Sequence, residues 1–326
     1  MEIPQLTIVQ AVAFALKQEM KRDLRVIVLG EDVGRNGGVF RATEGLYEEF
    51  GENRVIDTPI SESGIVGTAI GLALYGFKPV AEIQFDGFLY PALDQLISHV
   101  GRIRTRSRGR FTVPLVIRVP YGGGIRAPEH HSDSPEAHLV HTPGIKVVTP
   151  STPYDTKGLL ISAIRDPDPV VFLEPKRIYR AIRADVPEEE YVVPIGKAKI
   201  VREGDDVTMV SWGAMMRPAI EAAEEVRDKT SVEVIDLRTL SPMDLETVTK
   251  SVEKTGRVVI VHEAPKTCGV GAELVASITE KVFLSLEAPV ERVTGFDVPF
   301  PLFKLEKYYL PDTQRISKAI EKISSF

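Results

Sequence analysis

The run RVIVLG (residues 25–30) is apolar from end to end. A strand with one face in water alternates apolar and polar side chains, whereas a strand covered on both faces does not. The same character recurs outward along the chain in RVIDT (54–58), KPVAEIQF (78–85), PLVIRV (114–119), KVVTP (146–150) and PVVFLE (169–174). Helical patterns over 61–75, 91–106 and 153–165 stand between these runs. Doubly buried strands alternating with helices predict an α/β fold with a mostly parallel sheet. Before the first strand, residues 7–20 predict a helix. Thr7 and Gln10 fit a capping box, and Ile8, Val9, Val12, Ala13 and Leu16 form its apolar stripe.

The pattern breaks at PKRIYRAIRADVPEEEYVVPIGKAKI (175–200), whose prolines and clustered charges predict an exposed linker with room for an edge strand. The alternation then restarts, with strands over 206–212, 231–237, 257–263 and 289–295 and helices over 215–227, 242–254, 271–284 and 313–324. The chain therefore divides into one α/β domain over 1–180, a linker over 181–200 and a second α/β domain over 201–326.

Composition agrees with two cores. The 326 residues are 43% hydrophobic and 26% charged, which excludes a disordered or collagen-like chain. No apolar run approaches the ~18 residues of a membrane span. The first residues carry no secretory pattern, so a cytoplasmic location is expected. Net charge is −6, from 40 Lys and Arg against 46 Asp and Glu, which argues against a nucleic-acid binder. Cys268 is the only cysteine, so an intramolecular disulfide or cysteine-based zinc site is excluded, and it reads as a structural thiol.

Four segments draw attention as candidate sites. In DTPISESGIVGTAIGLALYG (57–76), Gly64, Gly67 and Gly71 recur along an apolar helix, each at a cost of up to ~1 kcal/mol against alanine. Two readings stay open, a core helix under the sheet or an interface helix against a partner. Glu62 opens this helix, where an anion gains from the helix dipole. By periodicity alone it reads as an ordinary terminal charge; functionally, it is a carboxylate presented to a ligand. The loop YGGGIRAPEHHSDSPEAHLVHTPG (121–144) holds four of the six histidines, His130, His131, His138 and His141, without zinc-ligand spacing. A solvated loop histidine and a general acid or base both fit it. RIRTRSRGR (102–110) reads as cations at a helix end rather than a phosphate site. RDPDP (165–169) reads as a turn built on Asp166 and Asp168. Absent are the P-loop, the nucleophile elbow, the dinucleotide fingerprint, and the G-D-G segment with a spaced Asn that thiamine enzymes use for diphosphate and magnesium.

D-T-P-I-S-E (57–62), A-E-I-Q-F (81–85), H-S-x-S-P-E-A (131–137), H-T-P-G-I-K-V-V (141–148), E-P-K-x-x-Y-R (174–180), E-V-I-D-L-R-T (233–239), H-E-A-P (262–265) and G-x-D-x-P-F-P (295–301) together resemble the β subunit of the 2-oxo acid dehydrogenase first component. The likeness covers the whole chain and is nearest to the branched-chain type, with pyruvate and acetoin types related. It implies a thiamine pyrimidine-binding domain followed by a transketolase C-terminal-like domain. It also implies an acyl-transferring dehydrogenase (EC 1.2.4.-) active only as a heterotetramer with an α subunit, which holds the diphosphate and Mg²⁺ of thiamine diphosphate. Oxidative decarboxylation of a 2-oxo acid, with acyl transfer to a lipoyl acyltransferase, is the implied reaction. By the same resemblance Glu62 hydrogen-bonds N1′ of the aminopyrimidine, and Ile60, Gln84 and Phe88 line that ring. His131 serves proton transfer or charge stabilisation during acyl transfer, and Asp133 departs from the family by standing where it has Gln. Leu115, Ala163, Ile164, Asp166 and Asp168 match a potassium site. A pyruvate- or acetoin-type β subunit, or half of a split transketolase-like enzyme, is the alternative, and a scaffold docked on the acyltransferase core is the non-enzymatic one.

Overall fold

The computed structural model of the chain describes residues 3–326. The described residues fall into two compact units, 3–121 with 138–195 and 122–137 with 196–326.

The first unit is built on six parallel strands: β1 (Val26–Gly30), β2 (Val55–Asp57), β3 (Lys78–Glu82), β4 (Val116–Tyr121), β5 (Lys146–Val148) and β6 (Val170–Pro175). They lie in the order β5-β6-β4-β3-β1-β2, every neighbouring pair parallel. All residues of β1, β4 and β6 are buried, as their unbroken apolar runs require. Helix α1 (Ile8–Arg22) starts at the expected capping box: Gln10 Oε1 accepts from Thr7 N–H at 3.0 Å, and Thr7 Oγ1 accepts from Gln10 N–H at 3.4 Å. Its stripe Ile8, Val12, Leu16 and Met20 is fully buried, and it packs on α3 (Pro153–Arg165).

Helix α2 (Glu62–Leu74) buries Ile65, Val66, Ala69, Ile70 and Ala73. Its glycine face is left open by this unit: a Cβ at Gly71 would meet nothing within 4 Å, and one at Gly67 only Gln95 at 3.8 Å. Close approach within the chain therefore does not account for Gly67 and Gly71, whereas a Cβ at Gly64 would lie 2.9 Å from Ser61 Oγ.

Three expectations change here. The helix predicted over 91–106 is a 3-10 stretch (Asp86–Ala92), a π-helical turn (Gln95–Val100) and a short helix (Ile103–Arg106). Pro91 lies in the first piece and lacks an amide donor. Gly101 ends the second, where the backbone at 143–144 comes so close that a Cβ would lie 2.6 Å from Pro143 O. The stretch 181–195 is not a free linker. The ammonium of Lys157, on α3, donates to the carbonyls of Glu188 and Glu189 at 3.3 and 2.8 Å, and Ser162 Oγ donates to Val193 O at 2.6 Å. Residues Ala184–Asp185 also pair antiparallel with Gln5–Leu6. Residues 122–137, expected within the first domain, group with the second unit.

The second unit has five strands: β7 (Lys199–Arg202), β8 (Val207–Ser211), β9 (Val232–Asp236), β10 (Val258–Val261) and β11 (Glu291–Val293). Their order is β11-β10-β8-β9-β7, parallel except for the edge strand β7, which starts at the end of the segment read as linker and runs into the second domain. Helices α4 (Met216–Glu225), α5 (Leu245–Thr255), α6 (Val270–Val282) and α7 (Thr313–Ile323) complete it. Asp244 and Asp312 cap α5 and α7 by accepting from Thr247 N–H and Arg315 N–H. No helix among the described residues is long and apolar enough to cross a membrane.

Candidate active site

In an open parallel sheet a ligand crevice forms at the carboxyl ends of strands where the chain reverses its direction of winding. That point lies between β1 and β3: β2 is added on one side of β1, and β3 on the other. The residues following these strands converge there. Glu31 and Asp32 follow β1, 58–62 lead from β2 into α2, and Gln84 to Phe88 follow β3.

Glu62 is the first residue of α2, half-buried, behind an N-cap, Ser61, whose side chain makes no capping bond. Glu31 is 8% exposed, and its Oε1 is enclosed without a hydrogen-bond partner. Burial holds the Glu31 carboxyl above the usual range, and the charges of Glu62 and Asp32 push it further. Two carboxyls thus stand near each other at the switch point, and burial with the neighbouring charges raises the Glu31 pKa. Such divided pairs are a signature of acid–base sites. Gln84 Nε2 reaches toward Glu31 O and Asp32 Oδ2 at 3.4 and 3.5 Å. Phe88 is half-buried and meets Phe85 edge-on, with centroids 5.9 Å apart. Ile60, at the turn before α2, is 84% exposed. Asp57 braces the rim by accepting from Gly34 and Arg35 N–H at 2.6 and 3.2 Å.

Beneath the crevice lies a buried charge network. Arg118, on β4, donates to Glu174 through Nε and Nη2 at 2.6 and 2.9 Å, and to Glu82 through Nη1 at 2.5 Å. Tyr179 donates to Glu174. Burial raises the Glu82 carboxyl despite the pull of Arg118. Lys176 pairs with Asp86, both side chains fully enclosed, and its ammonium lies 5.2 Å from the Phe85 ring centroid. Glu82 and Asp86 flank Gln84 in sequence, so both pairs fix the turn that carries Gln84 and Phe88.

His131 belongs to the second unit. It ends a one-turn 3-10 segment (Glu129–His131) and is half-buried, with its ring 6.3 Å from that of His130. The Asp133 carbonyl accepts from Gly122 N–H at 2.9 Å. Its carboxylate is one of several near the Tyr309 hydroxyl; burial and the charges of Glu263, Asp133 and Glu136 hold that phenol above its ordinary value.

The residues matched to a potassium site make contacts within the chain. The Asp166 carboxylate already receives the Lys146 ammonium at 2.7 Å on each oxygen, and Arg104 pairs with Asp168. The Leu115 carbonyl accepts from Val170 N–H at 2.9 Å, and the Ala163 carbonyl from Asp166 N–H at 3.3 Å. Ile164 is buried on α3 among them. Lysine and arginine supply the positive charge there. No cluster of three or more His, Cys, Asp or Glu suited to a metal occurs among the described residues. Cys268 is exposed rather than structural, and the arginines of 102–110 are exposed around a short helix and turn.

Glu31 is the residue that sequence reading missed. Its signal was present in RVIVLGED: a carboxylate directly after a doubly buried strand sits at a carboxyl end.

The transketolase pyrimidine-binding domain family matches residues 4–181, and the transketolase C-terminal domain family matches residues 196–316. The chain is 54% identical over 320 residues to the pyruvate dehydrogenase E1 component subunit beta of Acholeplasma laidlawii, covering 98% of each chain. It is 54% identical over 323 residues to that of Bacillus subtilis, covering 99% of each, and 52% identical over 323 residues to that of Staphylococcus aureus. A solved structure described as a split-gene transketolase, inactive beta4 tetramer, aligns over 99% of both chains with TM-score 0.80 at 22% identity, which speaks to the fold alone. On this evidence the chain belongs to the family of 2-oxo acid dehydrogenase E1 β subunits, built from transketolase-type pyrimidine-binding and C-terminal domains.

Proposed function

We propose that the chain is the β subunit of a thiamine diphosphate-dependent pyruvate dehydrogenase first component. It works with an α subunit that holds the diphosphate and Mg²⁺, and acetyl passes to the lipoyl group of an acyltransferase. The observation that carries this reading is the Glu31–Glu62 pair at the β1/β3 crevice, with its enclosed Glu31 Oε1. An aminopyrimidine offers that crevice ring nitrogens and an amino group, hydrogen-bonding partners for the Glu62 carboxylate and the enclosed Glu31 Oε1. Bound there, thiamine diphosphate supplies the carbon nucleophile and electron sink that decarboxylation of a 2-oxo acid needs.

Glu62 holds a proton at N1′ of the aminopyrimidine, aided by its place at the start of α2. Gln84 orients the ring edge, while Phe88 and Ile60 contribute apolar surface. His131 moves a proton during acyl transfer. The open glycine face of α2 supports packing against a partner subunit, since it is uncovered within this unit.

On substrate, the sequence motifs pointed first to branched-chain 2-oxo acids. The relatives above are named for pyruvate, and the reading moves to pyruvate with them. The test reconstitutes the chain with an α subunit and compares kcat/KM for pyruvate and 2-oxoisovalerate. Preference for pyruvate is expected; preference for 2-oxoisovalerate overturns the substrate assignment, and turnover of a ketose phosphate instead of either overturns the function.

A further inference from the structure

The loop that carries His131 is held by its backbone. It leaves β4 through Gly122, Gly123 and Gly124 and closes on itself where Gly122 N–H donates to Asp133 O at 2.9 Å. Loops of this kind, compact with their ends tied, commonly carry function. Within it the turn at 129–131 is pinned by His131 N–H and Ser132 Oγ, both donating to Pro128 O, at 2.9 and 3.2 Å.

Two carboxylates outside the loop grip it. Glu263, just past β10, accepts from Gly123 N–H at 2.9 Å. Glu306, which opens a short helix (Glu306–Tyr309), accepts from Gly124 N–H at 2.5 Å and from Arg126 N–H at 3.4 Å. Both are nearly enclosed, at 4% and 6% exposure. Bonds from amides to carboxylates are about twice as strong as neutral ones.

The glycines are what lets the grip close. Gly122 and Gly124 have φ of +84° and +90°, in the left-handed region. A Cβ on Gly122 would lie 2.7 Å from Glu263 Oε1, and one on Gly123 would lie 2.2 Å from the Phe300 ring. Phe300 packs edge-on against Tyr309 at 4.8 Å and clusters with Leu310, which anchors the segment bearing Glu306.

We propose that Glu263 and Glu306 are positioning residues: they clamp the 122–133 loop so that His131 is presented for the acyl-transfer step. This rests on the reading of His131 given above. The clamp acts on the loop's backbone, not on the substrate. Its loss therefore falls on the step that uses His131 and spares decarboxylation at the Glu31–Glu62 crevice.

The test uses Glu306→Ala, Glu306→Gln, Glu263→Gln and His131→Ala in the assembled complex. Amide exchange over 122–133 is measured beside two rates, pyruvate decarboxylation with an artificial electron acceptor and reductive acylation of a lipoyl domain. Glu306→Ala should speed exchange at Gly124 and Arg126 by at least about tenfold, the loss of a charged hydrogen bond. It should also slow acylation by about tenfold more than decarboxylation. Glu306→Gln and Glu263→Gln keep a carbonyl acceptor and should restore both to within about threefold. Unchanged exchange in Glu306→Ala overturns the clamp, and equal loss of both rates reduces it to a structural contact and overturns the assigned role. If His131→Ala acylates normally, the reading of His131 is what fails; the exchange result still decides whether the loop is held.

Discussion

Replacing Arg118 by Met tests how the floor of the crevice is built. Met fills similar length without charge. The substitution removes three short bonds, to Glu174 at 2.6 and 2.9 Å and to Glu82 at 2.5 Å, and leaves both carboxyls where exposure is 2% or less. Breaking a buried pair by deleting one partner costs about 3–5 kcal/mol, because the remaining charge stays desolvated. Here one cation serves two carboxylates, so the upper half of that range is expected at pH 8. The deficit should shrink in acid. A buried carboxyl whose folded pKa is raised binds protons more readily folded than unfolded, so stability is recovered as pH falls through the folded value, by up to about 1.4 kcal/mol per pH unit for each proton taken up. Urea unfolding of wild type and Arg118→Met at pH 8, 7 and 5.5, followed through amide exchange in β4 and β6, measures both. A loss under about 1 kcal/mol with no pH dependence would show that these ions are not what holds the floor.

Three further outcomes follow from the same reasoning. Glu31→Gln removes a carboxyl that burial and Glu62 push up, so the variant should be more stable than wild type at pH 8, with the gap closing toward pH 4. Its activity should fall by about tenfold or more, and a destabilised variant would refute the like-charge repulsion assigned to that pair. His262, fully buried against Trp212 at 5.2 Å, is held down to about 4 by burial and by the Arg292 charge. Its folded value is depressed, so its contribution is lost as pH falls from about 6.5 toward 4. His262→Leu should spare the second unit up to about 3 kcal/mol of acid destabilisation, read as a flatter stability–pH curve. Gly71→Leu, on the open face of α2, should leave the isolated chain within about 1 kcal/mol of wild type yet abolish co-purification with the α subunit; intact assembly would remove α2 from the interface.

What could be read in the sequence was whatever local physics decides. Unbroken Val and Ile runs announced the parallel strands, and Thr7 and Gln10 the start of α1. What depended on distant neighbours stayed hidden. The partners of Lys157 are carbonyls thirty residues along the chain, so 181–195 looked like a linker while it is stitched to α3. The close approach of Gly101 to 143–144 is tertiary, and the helical pattern over 91–106 carries no trace of it beyond Pro91. Glu31 passed as a loop carboxylate because its enclosure comes from the packing of neighbouring elements. Asp166 and Asp168 read as turn residues, and their ion pairs with Lys146 and Arg104 come from segments distant in sequence.

The most direct test of the central claim is deprotonation at C2 of thiamine diphosphate bound to the reconstituted complex, measured by hydrogen–deuterium exchange with quench and NMR for wild type and Glu62→Gln. If Glu62 holds the proton at N1′, Glu62→Gln should slow that exchange by about 100-fold or more while the subunits still assemble. Exchange at the wild-type rate in an assembled Glu62→Gln complex would contradict the account.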